Sequence, residues 1–161
     1  MPENSMTLVS EAIKSLADAE VKTWLFGGWA EELLDLRPPG NHRDIDLLYL
    51  ASDFSLLDEF LRRCEEAKEI EAKRFSHKRA FLWQGVIVEV FLVRPEAAGY
   101  VTSFFEVDKF TWPEDTFSFS VYIVGEDYPS ASPSALRLYR ERHDDVDLAY
   151  RRHIAQLGMA R

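Results

Sequence analysis

The sequence predicts an α+β fold, a mixed β-sheet flanked by helices. Three observations carry this. Helical and strand periodicities follow one another in mixed order along the chain. A short apolar strand ends in Gly27-Gly28, opens a helical segment, and is followed by a second strand carrying Asp44 and Asp46. Further on, the run Val86 to Leu92 is the most apolar strand in the chain and contains one charge, Glu89.

Each element has its own justification. Leu8, Val9, Ala12, Ile13, Leu16 and Ala17 recur at helical spacing over residues ~4–18. Val21 to Phe26 reads as a strand that the glycine pair breaks, and Trp29 to Leu36 as a helix. Arg37-Pro38-Pro39-Gly40-Asn41 is a loop by composition, and Asp44 to Leu50 is the second strand. Ser52 or Asp53 caps a helix reaching about Glu66, with Cys64 on its apolar stripe and therefore a core residue. Ile70 to Phe75 is expected to be a short strand. Lys78 to Trp83 and Val86 to Val93 form a hairpin about Gln84-Gly85. Tyr100 to Glu106 and Phe117 to Val124 are further strands, separated by a Trp112-Pro113 turn. Pro129 to Ser134 is expected to be a loop. Ser134 caps a helix to about Arg142, and Asp144 or Asp145 caps a last one to about Leu157.

The bulk properties narrow the function. A length of 161 residues suits one domain over 1–161, with a core at ~20–93 and C-terminal strands and helices at ~100–158. No apolar run approaches the ~20 residues a membrane helix needs. The acidic Met1-Pro2-Glu3-Asn4 is unlike a signal sequence, and Cys64 is the single cysteine, which fits a cytoplasmic, reducing setting. A net charge of −9 argues against a nucleic-acid binder, and suits a cationic small substrate or a carboxylate-rich metal site.

The chemistry lies in three signals. Residues two apart on a strand share a face, so Asp44 and Asp46 project together while Ile45 and Leu47 point into the core. Two adjacent carboxylates are expensive to hold without a cation, and oxygen ligands suit Mg²⁺. The alternative is an amphipathic strand with a solvated acidic face. Gly27 and Gly28 allow close backbone approach at a helix start, where anions are favoured; the alternative is a tight strand-to-helix turn. Glu89 is costly if buried unpaired, so it faces either a partner, such as a metal on a neighbouring strand, or water.

The order strand, Gly-Gly, helix, Asp-x-Asp strand, then apolar-acid-apolar strand resembles the nucleotidyltransferase superfamily that includes DNA polymerase β. Gly27-Gly28-Trp29-Ala30 with His42-Arg43-Asp44-Ile45-Asp46-Leu47 is similar to the small aminoglycoside and lincosamide nucleotidyltransferases. The resemblance covers residues ~20–93, and the segment Arg142 to Leu148 resembles the family's closing basic-acidic helix. It implies a nucleotidyltransferase-like mixed sheet and transfer of a nucleoside monophosphate from an NTP, with ATP expected, to a hydroxyl of an aminoglycoside- or lincosamide-like small molecule. It implies that Asp44 and Asp46 hold two Mg²⁺ ions, that Gly27 and Gly28 cradle phosphates, and that Glu89 binds the second metal or takes the acceptor's proton. The family often has Asp where this chain has Glu89, one methylene longer. His42 would contact phosphate or orient the loop, and Lys78 would reach phosphate or stand as a solvated strand-end charge. The competing reading is a non-catalytic protein of this fold, a binding or toxin–antitoxin component.

Overall fold

The computed structural model describes residues 3–97 and 99–159. Helix α1 (Met6–Asp18) is capped by Ser5, whose Oγ accepts from the Leu8 N–H, and buries Leu8, Val9, Ala12, Ile13 and Leu16. Strand β1 (Thr23–Phe26) is wholly buried and leads directly into α2 (Gly27–Leu33), so the helix begins on the glycine pair rather than after it. Strand β2 (Asp44–Leu50) follows. Helix α3 (Ser55–Arg63) is shorter than its sequence suggested; Asp53 accepts from the Ser55 N–H at 2.9 Å, and the chain turns extended at Cys64, which packs partly buried against the core.

Strand β3 (Ala67–Glu69) precedes a 3₁₀ turn at Glu71–Lys73, where a strand over Ile70 to Phe75 was expected. Next come β4 (Lys78–Trp83) and β5 (Val86–Glu96). Their turn holds Gln84 and Gly85 at φ 49° and 81°, the two positive values that a two-residue hairpin matched to strand twist requires.

The C-terminal part is richer in strand than its sequence suggested. Strand β6 (Gly99–Phe104) pairs with β7 (Asp108–Trp112), a strand not expected from the sequence, and the chain turns after it at Pro113, whose carbonyl accepts from the Thr116 N–H at 3.2 Å. Strand β8 (Phe119–Ile123) pairs with β9 (Glu126–Ser130), part of which was expected to be loop. Helix α4 (Pro133–Glu141) is capped by Ser132, two residues earlier than Ser134, with Pro133 in its first turn, where a missing N–H does no harm. Helix α5 (His143–Met159) closes the described chain. Among the described residues, no helix is long and apolar enough to cross a membrane.

The sheet runs β3-β4-β5-β2-β1-β9-β8, with β6 and β7 continuing from the far end of β5. It is mixed: β2 and β5 are parallel, as are β1 and β9, while β1–β2, β3–β4, β4–β5 and β8–β9 are antiparallel. Central strands are buried on both faces. Ile45, Leu47, Val88 and Val90 are fully buried on one face. On the other, Phe26, Phe91, Phe104, Phe110, Trp112 and Tyr139 form a connected set of rings with centroids 4.5–6.5 Å apart. The acids lie on this aromatic face.

Candidate active site

Register builds the site. Asp46 sits opposite Glu89 across the parallel β2–β5 pair, and opposite Phe26 across the antiparallel β1–β2 pair. Asp44 lies two residues back on the same face. One carboxylate oxygen from each of Asp44, Asp46 and Glu89 falls within 4.8 Å of the other two. Opposite oxygen ligands of an octahedral Mg²⁺ stand about 4 Å apart, so these three fit a divalent cation or a pair of them with little adjustment.

The electrostatics are those of a crowded acid cluster. Burial pushes the Asp46 carboxyl up to about 7, and the charges of Glu89 and Asp44 add to this. Asp44 is raised by burial and by Glu89. Glu89 goes the other way: burial alone would raise it, but Lys78 and Lys73 outweigh that and hold it below the usual carboxylate value. The Lys73 Nζ donates to Glu89 Oε1 at 2.8 Å and the Lys78 Nζ lies 2.9 Å from Oε2. Two ammonium groups therefore hold the buried Glu89, the partner such an acid needs. Lys78 reaches the site through Glu89, and Lys73 from the 3₁₀ turn joins it. Nothing in the sequence pattern marks Lys73, because in an extended strand over Ile70 to Phe75 it would have no reason to reach Glu89.

The glycine pair is fixed by its neighbours. Gly27 has φ 66°, and a Cβ there would lie 2.3 Å from Asp46 Oδ2 and 3.0 Å from its Cβ. A side chain at 27 would thus displace the Asp46 carboxylate. A Cβ on Gly28 would meet His42 Nδ1 at 2.7 Å and Arg37 Nη1 at 3.3 Å. His42 supports the loop: its Nε2 is 2.9 Å from Glu32 Oε1, and its ring lies 4.3 Å from Trp29. Asn4 binds this corner together. Its side-chain amide donates to the His42 and Asp44 carbonyls at 3.0 and 3.1 Å and accepts from the Trp29 indole at 3.1 Å. Neither Asn4 nor Arg37 stands out in sequence, since each gains its place only through contacts between distant segments.

Two cavities meet at the acids. One, of about 240 Å³, is lined by Gly27, Gly28, Asp44, Asp46 and Arg140 among others. The second, of about 310 Å³, lies toward α5 and the 3₁₀ turn. They share Glu89, Phe91, Tyr139 and His143. Arg140 on α4 is paired with Glu31 on α2, joining two helices beside the first cavity. Tyr139 lies between the cavities; burial raises its phenol far above the ordinary value, and Asp46 and Glu89 add to the effect.

The model of the family described as aminoglycoside-2″-adenylyltransferase matches residues 8–89, just over half of the chain. No curated protein matches the chain by sequence. Among solved structures, ANT(2″)-Ia in complex with adenylyl-2″-tobramycin superposes with a TM-score of 0.64 at 14% identity, over 96% of this chain and 90% of that one. The lincosamide antibiotic adenylyltransferase LnuA, bound to lincomycin, gives 0.67 at 15% identity, over 92% and 98%. An antigenic nucleotidyltransferase-like protein from Paracoccidioides brasiliensis gives 0.52 at 17% identity, over 99% and 79%. These likenesses show the nucleotidyltransferase fold.

Proposed function

Since the chain belongs to the aminoglycoside-2″-adenylyltransferase family, we propose that it transfers a nucleoside monophosphate, AMP from ATP, to a hydroxyl of a small-molecule acceptor. The observation that carries this is the convergence of Asp44, Asp46 and Glu89 within 4.8 Å, beside a glycine whose missing side chain leaves Asp46 its room. The cavity with Gly27, Gly28, Asp44 and Asp46 is assigned to the triphosphate, and the cavity toward α5 to the acceptor. Glu89 lies on the wall of both. A hydroxyl in one cavity therefore meets a phosphate in the other.

In this reading Asp44, Asp46 and Glu89 would hold Mg²⁺, which would supply charge stabilisation for an in-line displacement. The chain's own residues do the positioning. Gly27 and Gly28 let phosphate oxygens approach the backbone, while His42 and Asn4 keep the loop and the start of β2 in place. The acceptor oxygen forms its bond to the α-phosphorus as the bond to the β-phosphate oxygen breaks, and pyrophosphate leaves. Glu89 either stays on the metal, the hydroxyl proton then going to solvent, or takes that proton itself, for which Lys73 and Lys78 make it a weaker base. Lys73 and Lys78 supply positive charge where negative charge gathers. The whole of 1–161 acts as one domain in the cytoplasm; support for the first part is that one continuous sheet joins the N-terminal and C-terminal strands.

Isothermal calorimetry with Mg²⁺ and a non-hydrolysable ATP analogue tests the reading. Binding that depends on Mg²⁺, and falls at least tenfold in Asp46→Asn, is expected. Absence of nucleotide binding, or an Asp44→Ala variant indistinguishable from the native chain, would favour the non-catalytic alternative.

A further inference from the structure

Three cavities stand in a row across the acid cluster. The acceptor-side cavity and the glycine-side cavity share Glu89, Phe91, Tyr139 and His143. The glycine-side cavity shares Glu31 and Arg140 with a third, of about 590 Å³, which has no lining residue in common with the first. Glu31, Leu36, Arg37, Arg137, Arg140 and Glu141 line this third cavity, with no aromatic ring among the described residues. Its arginines outnumber its acids. In a chain of net charge −9, cations thus gather at the end of the row away from the acceptor.

One buried acid sets the guanidinium groups. Glu31 lies on α2, one turn beyond Gly27, and is 8% exposed. Arg140 donates to both of its carboxylate oxygens through Nε and Nη2, and Arg37 Nη1 stands 3.9 Å from Oε1. A guanidinium has more N–H donors than this fork uses, and the Arg140 side chain is 62% exposed. Arg37 lies against the glycine pair itself, its Nη1 3.3 Å from where a Cβ on Gly28 would be. One carboxylate against two guanidinium groups leaves positive charge beside the glycines. Lys73 and Lys78 stand on Glu89 and line the acceptor-side cavity. On the glycine side, among the described residues, Arg140 is the one Lys or Arg in the cavity wall.

The direction of transfer decides what enters. The acceptor hydroxyl attacks the α-phosphorus, which therefore sits beside Glu89, where the first two cavities meet. In an in-line displacement the β-phosphate oxygen leaves on the side opposite the attacking oxygen. The β- and γ-phosphates thus run past the glycine pair toward Glu31. A nucleobase at that end would call for apolar or aromatic walls, whereas guanidinium forks match phosphate oxygens. We propose that Arg140 and Arg37, set in place by Glu31, bind the β- and γ-phosphates of the nucleoside triphosphate and hold the pyrophosphate as it leaves. This rests on the nucleotidyl-transfer reading for the place of the α-phosphate. Glu31 is a positioning residue, since it acts through the arginines.

Calorimetry on the intact chain with Mg²⁺ tests it, the probes being α,β-methylene-ATP, inorganic pyrophosphate and AMP. Arg140→Ala and Arg37→Ala are each expected to weaken the ATP analogue and pyrophosphate about tenfold, the loss of one charge-assisted contact, and to leave AMP within about twofold. Arg140→Lys keeps the charge without the fork and is expected to recover only part of the loss. Glu31→Gln is expected to lower the preference for the analogue over AMP, which a purely structural role would leave unchanged. Arg37 is exposed and its contact with Glu31 is long, so its variant retains the fold even if loss of Arg140, which leaves a buried acid unpaired, does not. Native affinity for analogue and pyrophosphate in both alanine variants, or AMP weakened as much as the analogue, overturns the proposal. Analogue binding by the native chain with unaffected variants overturns the arginine assignment alone. No analogue binding by the native chain overturns the transfer reaction and this assignment with it.

Discussion

At the scale of single residues, the most constrained position in the site is a residue with no side chain. Gly27 is held at a positive φ with Asp46 Oδ2 where its Cβ would be. Adding a methyl group there costs about 1–2 kcal/mol in backbone strain alone, and Asp46 must also move. Gly28 differs, because its φ lies outside the left-handed region and its neighbours are the His42 ring, held by Glu32 and Trp29, and the end of the Arg37 side chain, not an acid of the cluster. Gly27→Ala is therefore expected to lower the melting temperature and remove the stabilisation by added Mg²⁺, while Gly28→Ala lowers the melting temperature but keeps the Mg²⁺ effect. Thermal denaturation with and without Mg²⁺ reads this; equal effects of the two substitutions would contradict it. Asp44, Asp46 and the glycine pair were legible in sequence because two-residue alternation and a strand break are local patterns. Lys73, Asn4 and Arg37 were not, since their partners lie 16 to 40 residues away or come together only through the loop after α2.

At the scale of elements, hairpin turns explain what was read and what was missed. Gln84-Gly85 announces β4–β5, whereas Val124, at φ 45°, is a β-branched residue in a turn position normally given to Asn, Asp or Gly. The turn between β6 and β7 uses Phe105 and Glu106, both at positive φ, with no glycine at all. Strands β7 and β9 were hidden for that reason. Buried polar contacts stabilise this half instead: Trp112 Nε1 donates to Thr102 Oγ1 at 2.8 Å, and Thr102 Oγ1 donates to the Leu92 carbonyl at 2.7 Å. The N-terminus of α4 shows the same economy. Ser132 Oγ accepts from the Ala135 N–H at 3.0 Å and donates to Asp115 Oδ1 at 2.9 Å. Ser132→Ala is expected to destabilise by about 1–2 kcal/mol, seen as a lower urea midpoint at unchanged slope. Ser134→Ala, one turn position inside the helix, is expected to change the midpoint far less.

At the scale of the whole molecule, the acid cluster couples folding to pH and, in the proposed reading, to metal. The folded-state pKa of Asp46 lies near 7, above its ordinary 3.8. The protonated carboxyl is thus the form the fold prefers. Its contribution to stability is complete below about pH 3.8 and is lost as pH rises to about 7. Asp44 shifts in the same direction, and Glu89, held by its lysines, in the opposite one. A divalent cation needs the ionised acids, so Mg²⁺ is expected to raise the melting temperature more at pH 8 than at pH 5.5. Calorimetric scans at the two pH values measure this, and Asp46→Asn should flatten the difference. The sequence by itself determined the α+β class, the pairing of acids on β2 and the family, because these depend on local periodicity and on short motifs. Tertiary structure alone decided that Glu89 faces Asp46, that two lysines hold it, and that two cavities meet there. Strand register and the packing of α5 set those relations between segments far apart in the chain, and no local pattern records them.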